Sequence, residues 1–366
     1  MRIAFLGNGM TGYLHAQYQE LHRLGNDLMV VQPGRPELAV GAMRDTDFSG
    51  IGTEEFSEYV AWDEHTDMGA LVARVLDFEP DSVVMTSWNF SRAYRTIMKR
   101  VPERVVRILV MDNLWRAAPK QWLGRATHRW YVDTVADAAM VPSDRTEFYA
   151  RRLGFAAADI IRGSLSADVE LFDHGPRDGA ELASRGAFLY AGRLVEHKGA
   201  DLLAGAYSFY RSLVDDPWSL EVAGMGPLDS ALRGIPGVNL HGFCQPDEVA
   251  QMMQEVSCYV LPSRIEPYGV VVHEAAVAGL PVLCSDFAGA AAGLVQDGQN
   301  GWVVPAGDVV MWARAMGRMS TMGSARLGAM SETSRAISRR LSPAGWALNL
   351  TEEIQRRRAA GGRRFG

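Results

Sequence analysis

Arg2-Ile3-Ala4-Phe5-Leu6-Gly7-Asn8-Gly9-Met10-Thr11-Gly12 opens the chain with a short apolar run and a glycine loop, and a periodic segment from Tyr13 to Leu24 follows, stopped by Gly25. An apolar run of this length, cut off by glycine, reads as a buried strand, and the periodic segment reads as a helix. Working outward, Leu28 to Val31, Ser82 to Thr86, Val105 to Met111, Ala138 to Val141 and Asp159 to Arg162 read as further strands. Short apolar strands alternating with helical segments imply parallel pairing through crossovers, which makes the first half a doubly wound α/β domain.

Asp173 to Gly186 breaks this alternation with His174-Gly175-Pro176 and Asp178-Gly179, as a linker does. The pattern then restarts. Ala187 to Ala191, Ser219 to Ala223, Val238 to His241, Cys258 to Leu261, Pro281 to Ser285 and Trp302 to Val304 read as strands, with helices at Asp201 to Leu213, Asp247 to Glu255 and about Gly269 to Ala278. The expected architecture is therefore two Rossmann-like domains, 1–172 and 187–342, joined by a linker at 173–186. Beyond them lie an amphipathic helix at 343–358, carrying Trp346, Leu350 and Ile354, and a basic, frayed tail at 359–366. In such folds a ligand is expected at the carboxyl edges of the strands, here in the groove between the two domains.

Bulk composition agrees with two globular domains. The chain has 366 residues, 48% hydrophobic and 22% charged, and at about 150 residues per domain that is enough for two full cores. Its 37 basic and 43 acidic residues give a net charge of −6, which argues against general electrostatic attachment to nucleic acid. Cys244, Cys258 and Cys284 form no Cys-x-x-Cys pair and read as reduced thiols of a cytosolic protein. The opening apolar run is too short for a signal peptide, and no stretch approaches the roughly 20 apolar residues of a membrane span. The expected location is cytoplasmic.

Gly7-Asn8-Gly9-Met10-Thr11-Gly12 fits the dinucleotide-binding pattern G-x-G-x-x-G in its required place between strand and helix, which raises an NAD(P)-dependent oxidoreductase. That chemistry also needs an acidic residue at the end of the second strand for the ribose diol. Here the strand ends in Gln32-Pro33, and Glu37 lies beyond a turn. The fingerprint is incomplete, and the loop reads equally as a ligand cradle or a tight structural turn.

More chemistry is concentrated in Ser263-Arg264-Ile265-Glu266-Pro267-Tyr268-Gly269-Val270-Val271-Val272-His273-Glu274-Ala275-Ala276. On one continuous helix, eight residues would set the two glutamates about 80° apart, so Glu266 belongs in the loop that opens the helix and Glu274 on its side. A helix mouth suits anionic or hydroxyl-rich ligands, and a carboxylate can accept two hydrogen bonds from a vicinal diol. Upstream, Arg193 and Lys198 stand on the loop after the strand at Ala187 to Ala191, spaced to clasp a diphosphate. Lys198 is one of only three lysines. Gly224-Met225-Gly226 marks a further close-approach loop.

From Phe188 to Asp308 these residues resemble the retaining, GT-B-fold glycosyltransferases of group 1, the Glu-x7-Glu type. The resemblance rests on Gly192-Arg193 to Lys198-Gly199, Gly224-x-Gly226, His241-Gly242-Phe243, Glu266 to Glu274, Gly279-Leu280-Pro281-Val282 and the Asp297-Gly298 to Asn300-Gly301 turn, in that order. It implies a nucleotide-diphosphate sugar as donor substrate, no required metal or cofactor, and a last helix that returns to the first domain. The donor would lie on Gly12, Gly192, Arg193, Lys198, Gly224, Gly226, Phe243, Glu266, Pro267, Tyr268, Gly269, Val270 and Glu274. Glu266, Arg193 and Lys198 would carry the chemistry. Two departures stand out. The family's histidine after a central strand of the first domain is replaced by Asp112-Asn113, and its usual glycine pair and acidic residue become Phe287 to Gly293.

Candidates on the acceptor side are His15, Trp88, Asn89, Asp112, Asn113 and Trp115. From Trp115 to Tyr131 the chain is rich in Trp, Arg and Lys and free of acidic residues. It suits stacking on a sugar, holding an anionic acceptor, or peripheral contact with the inner face of a membrane, and it equally suits a partly buried Trp cluster. A glycan, a lipid-linked sugar or a small metabolite would serve as acceptor. The alternatives are the oxidoreductase and a non-catalytic module that binds nucleotide sugars.

Overall fold

The computed structural model describes residues 1–33, 56–62, 67–86 and 92–361. They form two compact units, Met1–Ser166 with Pro343–Gly366, and Ala167–Ser342.

The first unit holds seven parallel strands: β1 (Arg2–Leu6), β2 (Asp27–Pro33), β3 (Glu58–Trp62), β4 (Ser82–Met85), β5 (Val106–Val110), β6 (Ala138–Val141) and β7 (Ile160–Arg162). Their order is β3-β2-β1-β4-β5-β6-β7, with Phe5 in register with Val30 on one side and Val84 on the other. Along β1, Ile3 and Phe5 enter one core and Ala4 and Leu6 the other, because helices cover both faces of the sheet. Burial on both faces is why these strands read as unbroken apolar runs. β3 escaped the sequence pattern because it is an edge strand whose Val60 and Trp62 are buried between exposed neighbours.

The helix Pro343–Ala359 belongs to this unit, and its Trp346, Ala347, Leu350 and Ile354 pack in the same core as Ile3 and Phe5. Its basic end is tied down by ion pairs. Arg357 is fully buried, bonded to Asp159 at 3.1 Å and to the Ala158 carbonyl at 2.7 Å, and Arg358 pairs with Asp81 at 2.8 Å. Residues 362–366 of the tail lie outside the described residues.

The second unit has six parallel strands, β8 (Ala187–Ala191), β9 (Ser219–Ala223), β10 (Val238–Gly242), β11 (Cys258–Leu261), β12 (Val282–Ser285) and β13 (Gly301–Val304), in the order β10-β9-β8-β11-β12-β13. Segment 173–186, expected as a linker, is instead a fastened part of this unit. Arg177 donates to the carbonyls of Met253 and Gln254, Asp173 pairs with Arg335, and the helix Gly179–Arg185, capped by Asp178, packs on the helix Ser324–Ser338. Its Gly, Pro and Asp residues mark caps and turns of short helices rather than a free tether.

In both sheets the strand order reverses beside the first strand, between β1 and β4 and between β8 and β11. The loops leaving those strands diverge there, and the crevice at each carboxyl edge is where an open α/β sheet admits a ligand.

Candidate functional site

In the second unit the reversal point lies between turn 192–199, after β8, and loop 262–269, after β11. The two are tied together. Ile265 N–H donates to the His197 carbonyl at 3.0 Å, and the Arg264 guanidinium forks onto Asp201 at 2.6 and 2.7 Å while also donating to the Glu196 carbonyl at 2.9 Å. The Arg264 contact holds the Asp201 carboxyl below its usual range. Gly199 fits here for want of a side chain, since its φ is +74° and a Cβ would lie 2.3 Å from the Pro262 carbonyl oxygen.

The result of this fastening is an ion pair between the Lys198 ammonium and the Glu266 carboxylate, with side chains 21% and 8% exposed. Residues 287–293, altered from the family pattern, brace the same segment from behind. Gly289 N–H donates to the Glu266 carbonyl at 3.1 Å and Ala290 N–H to the Tyr268 carbonyl at 2.9 Å. Tyr268 is buried, which pushes its phenol up to about 12, while Pro267, Gly269 and Val270 keep partial exposure at the mouth of the helix Val270–Val277.

Arg193 is exposed and has no ion-pair partner among the described residues, although its backbone is fixed by the Tyr190 hydroxyl, which donates to its carbonyl at 2.9 Å. On either side, Gly192 N–H donates to the Ala223 carbonyl and Leu194 N–H to the Met225 carbonyl. A Cβ on Gly226 would lie 2.4 Å from the Leu194 carbonyl oxygen. The Gly224-x-Gly226 turn is thus glycine-rich because strand-end backbones press together. Phe243, half-buried, follows β10 at the same edge.

Glu274 stands on the helix Val270–Val277 as a partly exposed residue whose carboxyl is poorly solvated, with no hydrogen-bond or ion-pair partner among the described residues. Burial first, and the Asp168 charge second, raise it from near 4.5 to about 8. Next to it, His273 is fully buried. Its Nδ1 accepts from Ala167 N–H at 2.8 Å and its Nε2 donates to the Ser338 carbonyl at 3.1 Å, while burial lowers its pKa to about 4. A neutral imidazole therefore pins this helix to the start of the unit. Nothing in Val-Val-Val-His-Glu marks that role in advance.

These groups share one neighbourhood. The charges of Glu266 and Arg193 both act on the buried Tyr190 hydroxyl, and those of Glu274 and Glu266 both act on Tyr259. One sheet edge thus combines an unpaired cation, a buried ion pair and a desolvated carboxyl.

At the corresponding point of the first unit, the glycine loop is held by Gly7 N–H donating to the Val31 carbonyl and by the Tyr94 hydroxyl donating to the Gly7 carbonyl, both short. Gly12 faces open space. Beside the loop is a cavity of about 210 Å³ lined by Asn8, Gly9, Tyr13, Thr86 and Asp112 among partly or fully exposed residues, and by Phe5, Gln17, Tyr18, Val84, Ser164 and Trp346 in its buried part. Of the acceptor-side candidates among the described residues, only Asp112 lines it. Asn113 is exposed, and His15 packs against Phe56 with ring centroids 6.0 Å apart. Trp115 is half-buried between Trp122 and Tyr149 and beneath Arg152, as a member of a packed cluster. Trp88 and Asn89 lie outside the described residues. Trp122, Leu123 and Trp130 are 47, 64 and 77% exposed. Sequence reasoning missed Gln17, Tyr18, Ser164 and Trp346 as a group, although a glutamine in the inward stripe of the helix Gly12–Arg23 is a signal of a polar hollow.

Residues 185–321 match the family model described as glycosyl transferases group 1. The chain is 25% identical over 273 residues to alpha-D-kanosaminyltransferase of Streptomyces kanamyceticus, covering 73% of this chain and 64% of that protein. It is 31% identical over 191 residues to exopolysaccharide phosphotransferase SCO2592 of Streptomyces coelicolor, covering 50% of this chain and 19% of that protein. It thus spans less than two thirds of the length of either relative. The crystal structure of Anabaena Alr3699/HepE in complex with UDP and glucose superposes with a TM-score of 0.74 at 18% identity, covering 97% of this chain and all of that one. Sucrose-phosphate synthase from Thermosynechococcus elongatus gives 0.74 at 17% identity over 98% of this chain. The fold is GT-B, two Rossmann-like units in an α/β architecture. Among the described residues, no helix is long and apolar enough to cross a membrane, and no group of three or more His, Cys, Asp or Glu is placed to hold a metal ion.

Proposed function

We propose that the chain is a retaining glycosyltransferase that moves a sugar from a nucleotide-diphosphate sugar to a hydroxyl of an acceptor. The observation that carries this is the edge of the second sheet, where exposed Arg193, the Lys198–Glu266 pair and desolvated Glu274 stand around one reversal point. The family match over 185–321 covers that edge, and the Anabaena protein of the same fold holds UDP and glucose.

In this proposal Arg193 and Lys198 receive the diphosphate, and Glu274 accepts hydrogen bonds from the ribose diol. Glu266, with the backbone of 267–270, orients the sugar hydroxyls. The bond between the anomeric carbon and the phosphate oxygen breaks with its electron pair going to the phosphate. The acceptor oxygen attacks from the face the phosphate leaves, and its proton passes to the departing phosphate oxygen. Arg193 and Lys198 stabilise the negative charge that builds there, which is the largest electrostatic task of the reaction. Metal and cofactor have no assigned part. Among the described residues nothing favours the oxidoreductase: β2 ends in Gln32-Pro33 with no acidic residue there for the ribose, and Glu37 lies outside the described residues.

The test is calorimetric titration with UDP-, GDP- and TDP-glucose, followed by donor hydrolysis and an acceptor screen. A donor should bind to the wild type and bind more weakly to Arg193→Ala and Glu274→Gln. Equal affinity in all three proteins, or no binding of any nucleotide, refutes the assignment. Donor binding without turnover on any acceptor would leave a binding module.

A further inference from the structure

Glu274 stands on a helix that has little of its own to hold it at one rotation. Val270–Val277 is eight residues long, its N-cap is Gly269 at φ +91° with no side chain to cap it, and apart from His273 and Glu274 its side chains are Val and Ala. Hydrophobic burial is non-directional, and turning such a helix exchanges one small apolar contact for another. A carboxyl at the rim of a helix, about 5–6 Å from its axis, travels roughly 2 Å when the helix turns by about 20°. That is enough to lose a hydrogen bond. A directional contact is therefore needed to set the rotation.

His273 supplies two such contacts from a fully buried ring. Ala167 N–H donates to Nδ1 at 2.8 Å, so the ring proton is on Nε2, which donates to the Ser338 carbonyl at 3.1 Å. The partners come from the two ends of the unit's sequence, since Ala167 is its first residue and Ser338 closes the helix Ser324–Ser338. Arg335 donates to the Val277 carbonyl at 3.3 Å and fastens the helix end, but near the axis, where a bond resists rotation less than one made at a side-chain tip. Successive residues are about 100° apart around a helix, so fixing the direction of His273 fixes that of Glu274 beside it. The bond to Ala167 also steadies the next residue, Asp168, whose charge acts on Glu274 and whose Oδ1 accepts from Leu171 N–H at 3.2 Å.

We propose that His273 is a positioning residue of the donor site: its two hydrogen bonds set the rotation of the helix Val270–Val277 and so aim the Glu274 carboxyl at the ribose diol. The proposal rests on the donor reading given above, and it adds to that site a buried residue that reaches no ligand.

The experiment is calorimetric titration of the full chain with UDP, GDP and TDP, the tightest binder being carried forward, and with inorganic pyrophosphate measured by competition against it. His273→Leu, which breaks both bonds, should weaken the nucleotide about tenfold and leave pyrophosphate within about twofold, because Arg193 and Lys198 stand on another loop. Added to Glu274→Gln, it should deepen the loss by less than about twofold, since a misaimed carboxyl and a missing one are the same defect. His273→Asn keeps an acceptor for Ala167 and His273→Gln a donor for Ser338, so each should bind the nucleotide at least about threefold more tightly than His273→Leu. Should the leucine variant not fold, the Asn and Gln variants carry the same test, each weakening the nucleotide about two- to fivefold and neither multiplying the loss from Glu274→Gln. The proposal is overturned if the His273 variants bind the nucleotide like the wild type, if pyrophosphate affinity falls in step with nucleotide affinity, or if the His273 and Glu274 losses multiply. Nucleotide binding sensitive to Arg193→Ala and Glu274→Gln but not to the His273 variants sinks this proposal and leaves the donor reading standing. Binding indifferent to Arg193→Ala and Glu274→Gln sinks both.

Discussion

Replacing Glu274 with glutamine should make the protein more stable in alkali and weaken it as a nucleotide binder. Folding raises the Glu274 carboxyl from near 4.5 to about 8. The folded chain therefore holds this proton more tightly than the unfolded chain. The associated stability is complete below about pH 4.5, declines as pH rises, and is gone above about pH 8. A change of this size has a ceiling of about 5 kcal/mol. Because the side chain keeps partial exposure, roughly 2 kcal/mol is a better expectation. Glutamine keeps the shape and cannot ionise. At pH 5 the variant should melt with the wild type, and at pH 8.5 it should melt about 4 to 8 °C higher. Circular dichroism melts at the two pH values decide the matter. An equal shift at both pH values, or a lower melting temperature at pH 8.5, refutes the claim that an unpaired, desolvated carboxyl sits at this position. If the donor is held as proposed, ribose hydroxyls favour the ionised form. Nucleotide binding near pH 7.5 should then release protons in the wild type and none in Glu274→Gln, as calorimetry in buffers of different ionisation enthalpy would show.

Arg193→Ala should weaken nucleotide-diphosphate binding about tenfold or more with stability unchanged within roughly 0.5 kcal/mol, because the exposed guanidinium has no ion-pair partner to lose among the described residues. A melting temperature that falls with the affinity would contradict its isolation. Lys198→Met should cost roughly 3 kcal/mol, since it strands a buried carboxylate, and adding Glu266→Gln should restore most of that stability without restoring donor hydrolysis. Gly199→Ala should destabilise by at least about 2 kcal/mol in denaturant titrations, through its left-handed backbone and the overlap with the Pro262 carbonyl. Trp122→Ser with Trp130→Ser should leave stability within about 0.5 kcal/mol and reduce pelleting with anionic vesicles if that surface rests on lipid. A wild type that does not pellet at all removes the membrane from consideration.

What could be read in advance divides along a physical line. Strands buried on both faces, such as Ser82–Met85 and Cys258–Leu261, appear as consecutive apolar residues and are legible with no partner in view. The eight-residue step from Glu266 to Glu274 was enough to put one glutamate in a loop and the other on the helix Val270–Val277, because helical pitch is a local property. Pairings across the sheet are not local. Lys198 meets Glu266 across 68 positions, and Arg357 meets Asp159 across 198, so the first looked like a free phosphate ligand and nothing near the second announced its partner. The caps at 173–186 misled for a related reason. Asp and Gly are what a short helix needs at its ends, and whether such a helix is docked depends on Ser324–Ser338, far along the chain.

The two reversal points also differ in charge, and the difference bears on how the proposed reaction is divided. The edge after β8 and β11 carries Arg193, Lys198, Glu266 and Glu274, groups whose energies change strongly when an anion arrives. Among the described residues, the lining of the cavity beside β1 and β4 includes no cationic side chain. A diphosphate needs the first environment, since an anion is costly wherever no cation or amide dipole meets it.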